Sequence, residues 1–256
     1  MSDPLAPDHD PQPPVFGPAD AARAEEIRAR LQQVFVRVRD AQQAATRAVA
    51  AGHRDPATLA EAIAADAYRL ADGVAAASPA MPEVECTRGC SFCCHQLVRV
   101  SAPEAIALAD ALREAFPAEW LIQLRAMLAQ RVARSSGFAS VREYVAAGIP
   151  CAFLAPDGAC AVYAWRPLVC RGFHSLSRMA CQNFYIDQGN RPPPIERVGR
   201  YGANGVQRGL SDACTADGRD GGLYELHGAV LRALETAECA RRWAAGEDVF
   251  AGCKRA

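Results

Sequence analysis

Lysine is almost missing from this chain. Lys254 is the single one in 256 residues, and every other basic residue is arginine. That leaves no internal amine for Schiff-base chemistry and no lysine for a phosphate-binding P-loop. Surplus charge of either sign is missing too. The formal net charge is −1, which gives no broad electrostatic pull toward nucleic acid or an anionic membrane. No apolar run approaches the length of a membrane span. No basic region followed by an apolar stretch opens the chain, so a secretory signal is not expected. The expected compartment is therefore the cytosol, where thiols stay reduced. There is no repeat of solenoid length, and no Gly-x-Gly-x-Gly-type nucleotide loop follows a strand-like run.

Against these absences stand 11 cysteines. In a reducing compartment they point to metal binding rather than a disulfide framework. Half the residues are hydrophobic, enough to bury a sizeable core.

Hydrophobic periodicity predicts a mainly α fold. Residues 1–18, rich in proline, read as a disordered tail. Ile27, Leu31, Val34, Val38, Ala41, Ala45 and Val49 recur at helical spacing, and Gly52 is a stop. Asp55-Pro56 opens a second stripe through Leu59, Ile63, Ala67, Leu70 and Val74, which ends at Ser78-Pro79. Residues 19–78 are thus expected to form a helical hairpin that serves as scaffold. Ser101 and Glu104 match a capping box at the head of another helix, and Pro117 restarts one after it. Ser140 is a cap for a short helix ending near Gly148. Prolines exclude long helices over 150–200. There, residues 152–154 and 160–163 flank the turn Pro156-Asp157-Gly158 and predict at most a small β-hairpin. A last stripe, Leu223, Leu226, Val230, Leu234 and Ala237, predicts a closing helix. Residues 79–200 are expected to form a loop-dominated metal-binding region, and 201–256 a C-terminal helical segment packed on the same domain.

The chemistry concentrates in two groups of thiols. Cys86, Cys90, Cys93 and Cys94 fall within nine residues, with Gly89 permitting a tight turn. Cys151, Cys160 and Cys170 follow, and Cys181 lies farther on. Thiolates suit zinc and iron–sulfur centres. Eight candidate ligands exceed the four of a tetrahedral zinc, so the sequence allows two mononuclear sites or one cluster with spare thiols. Four thiolates around one divalent ion leave a net charge of about −2, costly to bury without compensation. Arg166 and Arg171 are expected to supply it, donating toward sulfur or to the loops that carry it. His95 and His174 are read as hydrogen-bonding neighbours of the cysteines rather than ligands. Cys214, Cys239 and Cys253 stand apart and are read as incidental.

The order Cys86-x3-Cys90-x2-Cys93-Cys94, then Pro150-Cys151-x-Phe153-Leu154, then Cys160-x-Val162-Tyr163-x2-Arg166-Pro167-x2-Cys170-Arg171, resembles the YkgJ-type cysteine-cluster family, described as zinc- or iron-chelating. The resemblance covers roughly residues 84–185. It implies Cys86, Cys90, Cys93, Cys94, Cys151, Cys160 and Cys170 as ligands. The cysteine element is also similar to that of the flagellin lysine methylase, thought to hold an iron–sulfur cluster. This gives iron preference over zinc here and implies nothing about methyl transfer. The leading expectation is a metal-binding protein whose centre is structural or carries electrons, with the metal ion and a protein as its partners. An enzyme or accessory modification factor using the centre, and a metal-free redox sensor built on Cys93 or Cys94, are the alternatives.

Overall fold

The structure is a computed structural model that describes residues 18–138 and 140–254. The proline-rich stretch before Pro18 lies outside the described residues. Ten α-helices and one two-stranded antiparallel sheet are present among the described residues. The helices are α1 (Pro18–Gly52), α2 (Leu59–Ala76), α3 (Ala102–Ala115), α4 (Ala118–Ser135), α5 (Val141–Ala146), α6 (Leu168–Arg171), α7 (Arg178–Ile186), α8 (Arg197–Ala216), α9 (Leu226–Glu235) and α10 (Cys239–Ala244). The strands are β1 (Arg99–Ser101) and β2 (Leu223–Glu225). The mainly helical class expected from the sequence is the one found. None of the described helices is long and apolar enough to cross a membrane.

α1 touches α2 but lies chiefly along α8. What lets α8 come so near is a face of glycines. A Cβ on Gly202 would lie 2.4 Å from Val74 Cγ1, one on Gly205 2.7 Å from the Phe35 carbonyl oxygen, and one on Gly209 2.2 Å from the Arg39 carbonyl oxygen. Their spacing of three and four keeps them on one side of the helix. Glu196 caps α8, its Oε1 accepting from Val198 N at 2.7 Å and its Oε2 from Gly199 N at 2.6 Å. The Ser78 hydroxyl, just past α2, donates to the same carboxylate at 2.7 Å.

A single hydrophobic cluster joins α2 (Leu59, Ile63), α3 (Ile106, Leu112), α4 (Leu124, Leu128), α8 (Val206, Leu210), α9 (Leu226, Val230) and α10 (Trp243). It runs on into the cysteine-bearing region through Phe153, Val162 and Leu168. Glu104 fixes that junction. It is buried at 1% exposure, and its Oε2 accepts from Ser101 N and Oγ at 2.9 and 2.8 Å, which is the expected capping box. Gln207 of α8 donates to the same oxygen at 3.1 Å, while Leu168 N, opening α6, donates to Oε1 at 2.8 Å. One carboxylate therefore locks α3, α8 and the head of α6 together. Burial pushes its pKa up, and the four donors pull the other way without cancelling that effect.

The small hairpin expected over 152–163 is present as one antiparallel bridge, Leu154 to Cys160, with Ala161 N donating to the Phe153 carbonyl at 2.8 Å and Ala155 N to the Ala159 carbonyl at 2.9 Å. Two other local expectations need correction. The two-stranded sheet is formed elsewhere, where β1 pairs with β2 in the register Arg99–Glu225, Val100–Tyr224 and Ser101–Leu223. Leu223 accordingly belongs to a strand, and the closing helix begins at Leu226. Finally, α2 begins at Leu59 rather than at Pro56, because Asp55 Oδ1 takes the Ala57 N–H at 3.0 Å and folds that stretch into a turn.

Candidate metal centre

Cys90, Cys93 and Cys94 are carried by short turns whose backbone bonds fix where the sulfurs can go. Cys90 N donates to the Thr87 carbonyl at 3.0 Å, closing a turn in which Gly89 has φ +86°. Cys93 and Cys94 sit in a single 3₁₀ turn, Phe92–His95, where Cys94 N donates to the Ser91 carbonyl at 2.9 Å. The second segment is stitched to this turn: Cys151 N donates to the Cys94 carbonyl at 2.7 Å. Beyond it the chain reverses at Gly158, φ +78°, whose Cβ would fall 2.7 Å from the Gly89 carbonyl oxygen. The tips of the two cysteine loops thus nest against each other, and each tip needs a glycine. Arg88 and Asp157 flank the contact as an exposed ion pair at 3.4 Å. Cys170 rides on α6, anchored by Glu104, and Cys181 on α7, capped by Ser177 accepting from Ala180 N at 3.1 Å. Cys86 Sγ accepts from Ser175 N at 3.2 Å, and Glu85 N donates to the Ser175 carbonyl at 3.0 Å.

The sulfurs are near enough to feel one another's charge. The hydrogen bond its thiol donates to Cys94, then burial, hold Cys93 well above its ordinary pKa. Burial does the same to Cys170, with Cys93, Cys151 and Cys160 adding to it. Cys160 is raised by burial and then by Cys151 and Cys93, and Cys181 by burial and then by Cys86, Cys90 and Cys93. Cys86 is raised by burial, partly offset by the Ser175 N–H, with Cys93 and Cys90 adding. Cys93 recurs in each of these sets, so its charge bears on Cys86, Cys160, Cys170 and Cys181 alike. The same thiols resist ionising as long as nothing electropositive compensates them.

One cation is common to most of them. The Arg166 charge lowers the pKa of Cys86, Cys93, Cys160 and Cys170 alike. Its guanidinium stacks 4.3 Å from the Tyr163 ring, and its Nε is buried without a hydrogen-bond partner. Arg171 has a different place. It is buried, pairs with Asp72 at 2.6 Å, lies 4.2 Å from the Tyr68 ring, and donates to the carbonyls of Arg166 (2.9 Å) and Ala164. Arg166 is the cation whose charge reaches these thiols, while Arg171 holds the loop that carries Arg166. His95 bonds the Ser91 carbonyl through Nδ1 at 3.2 Å and packs 4.7 Å from the Tyr185 ring. His174 is 9% exposed, and its Nδ1 is buried without a partner. Burial, then the Arg166 charge, lower its pKa.

Residues 85–189 match the CxxCxxCC family. Its model is described as a "putative zinc- or iron-chelating domain". No curated protein and no solved structure matches the chain.

The CxxCxxCC segment offers soft, anionic-capable donors together with an orphaned Arg166 Nε, which suits a sulfur-ligated centre bearing negative charge. What converges is a region of sulfurs. Among the described residues no group of three or more His, Cys, Asp or Glu side chains stands as a finished metal-binding set. Of the cysteines read as incidental, Cys214 and Cys239 are buried in the apolar core, where burial pushes their thiols up to about 12 and about 11. Cys253 packs at the core's edge, its Sγ 3.8 Å from the Gly228 carbonyl.

Sequence reasoning missed two residues beside the sulfurs, both beyond the CxxCxxCC segment. Glu225 ends β2 and His227 lies in the first turn of α9; they are 3% and 5% exposed. The imidazole Nδ1 lies 2.8 Å from Glu225 Oε1, close in distance though not aligned as a linear hydrogen bond. Burial works against charge on this ring, but Cys151 and Glu225 overcome it and push its pKa up to about 10. Conversely, burial would raise the Glu225 pKa, and His227 reverses it, so the carboxyl titrates below its ordinary range. The available signal was two ionisable residues interrupting the apolar run 223–230.

Proposed function

We propose that this protein binds a metal centre through Cys86, Cys90, Cys93, Cys94, Cys151, Cys160 and Cys170, with Cys181 as a further donor. The observation that carries the reading is the 2.7 Å bond from Cys151 N to the Cys94 carbonyl, which binds the second cysteine segment to the first. An iron–sulfur cluster is the preferred occupant and zinc the alternative. More thiols are carried by the two joined segments than one tetrahedral ion takes, and the charge of Cys93 bears on thiols of both. Such a centre supplies electron transfer or structural cross-linking when bound. Arg166 offsets the negative charge of the thiolates, and Arg171 and Asp72 fix the loop on which Arg166 sits. In this reading the protein works in the cytosol, and the centre either maintains the fold or presents a surface to a protein partner.

The test is anaerobic purification followed by elemental analysis and visible spectroscopy. Iron with acid-labile sulfide and a brown colour supports the cluster; stoichiometric zinc and no colour supports the alternative. Cys90→Ser is expected to lose the metal and Cys253→Ser to keep it. Equal metal content in the two variants refutes the ligand assignment.

A further inference from the structure

Helix α7 is fastened to the first cysteine quartet at both ends. At its head, Arg178 N donates to Glu85 Oε2 at 2.7 Å, beside the bond from Ser175 N to Cys86 Sγ. At its tail, Tyr185 meets the 3₁₀ turn that carries Cys93 and Cys94. The two residues flanking that pair, Phe92 before it and His95 after it, both pack on the one ring, at centroid distances of 6.4 and 4.7 Å. The hydroxyl end of the ring reaches the approach to the second cysteine segment, since a Cβ on Gly148, just ahead of Pro150-Cys151, would lie 3.8 Å from Tyr185 Oη. Tyr185 also follows Cys181 by one helical turn, which sets the two on one face of α7. One aromatic side chain thus stands where three cysteine-bearing stretches meet.

We propose that Tyr185 is a positioning residue that holds the Cys93–Cys94 turn in the rotation the metal centre needs. This inference rests on the assignment of Cys93 and Cys94 as ligands. A 3₁₀ helix has three residues per turn, so neighbouring side chains diverge by about 120° and the first and fourth eclipse each other. Phe92 and His95 are the first and fourth residues of this turn and therefore share one edge, which leaves the other two edges to the cysteines. Rotating such a turn swings one sulfur toward a common point and the other away from it. The bond from Cys151 N to the Cys94 carbonyl tethers the turn at one point. The Tyr185 ring grips the Phe92–His95 edge in tilted contacts of the kind aromatic rings favour, at interplanar angles of 45° and 53°, and so fixes how the turn faces. Ligands aim reliably only when packing locks the residues that support them.

The experiment uses the full chain and Co²⁺ as the probe, with affinity measured by chelator competition and the sulfur-to-cobalt charge-transfer band recorded for each variant. Tyr185→Phe keeps the ring and is expected to match the wild type in both readouts. Tyr185→Ala removes it and should bind Co²⁺ about 10-fold more weakly, the lower end of what a residue supporting a ligand contributes, with a displaced charge-transfer band. Tyr185→Leu replaces the alanine variant if the latter fails to fold. A loss in Tyr185→Phe as large as that in Tyr185→Ala assigns the effect to the hydroxyl and overturns the role of the ring. A superimposable band in the variant without the ring overturns it too, because a general loosening of the fold weakens binding without re-aiming the sulfurs. The double variant Cys93→Ser/Cys94→Ser separates this role from the ligand assignment. Weak binding there, alongside a Tyr185→Ala that behaves as wild type, strikes the role of Tyr185 and leaves the ligands standing. Wild-type affinity in the double variant overturns the ligand assignment and this inference with it.

Discussion

Glu104 shows how much of the centre's geometry depends on a residue that touches no sulfur. Four donors from Ser101, Leu168 and Gln207 converge on its buried carboxylate. Glu104→Ala strands these donors, and each buried group left unpaired costs about 1–3 kcal/mol. The variant should lose about 3 kcal/mol or more of unfolding free energy, read as a lower urea midpoint at unchanged m-value. The thiols give a second expectation at this scale. Cys86 is exposed, whereas Cys214 is 1% exposed with its thiol pushed up to about 12 and so carries almost no thiolate at pH 8. Iodoacetamide on native metal-free protein, followed by peptide mass spectrometry, should label Cys86 early and Cys214 only once the chain unfolds. Comparable rates at the two sites contradict the burial. The cysteine quartet was legible in the sequence because thiols at short spacing have few other uses. Glu225 and His227 were not, since nothing local to residues 223–230 reveals that the Ala152 backbone lies opposite.

At the scale of elements, amphipathic stripes and caps could be read directly. Leu59 and Ile63 of α2 are buried as their spacing requires, and Ser140 accepts from Glu143 N at the head of α5. α8 escaped a specific assignment because its face is made of glycine, a residue that weakens a helix read alone. Its helical state comes from the close approach of α1 and α2, a tertiary effect. The strands escaped for a related reason. Each is three residues long, and each finds its partner far away in the chain. Gly209→Ala tests the helix contact, since the added methyl meets the Arg39 carbonyl oxygen at 2.2 Å. It should destabilise by about 1–3 kcal/mol in denaturant unfolding. Gly73→Ala in α2, with nothing within 4 Å of the new Cβ, should instead be neutral or stabilise by up to about 1 kcal/mol.

For the molecule as a whole, the matched segment and the folded unit do not coincide. Phe153, Val162 and Leu168 share one core with Ile63, Val206, Val230 and Trp243, which lie before and after residues 85–189. Expressed alone, residues 85–189 should lack a cooperative thermal transition and show collapsed amide dispersion in proton–nitrogen NMR spectra. A well-dispersed spectrum from that fragment would show that it folds independently. Eight candidate ligands could be read from the chain, but their dependence on a scaffold of outside helices could not, because that dependence lies in contacts between distant segments.

The nested tips at Gly89 and Gly158 carry one more consequence. The two loops touch backbone to backbone, with no side chain between them that could be trimmed to make room. A side chain added at Gly158 therefore cannot be accommodated by a second substitution in the facing loop. The intervening α3 and α4 are held as well, because Ile106, Leu112, Leu124 and Leu128 lie in the shared core and Glu104 ties α3 to the head of α6. Over time neither tip can exchange its glycine without pushing the other loop away.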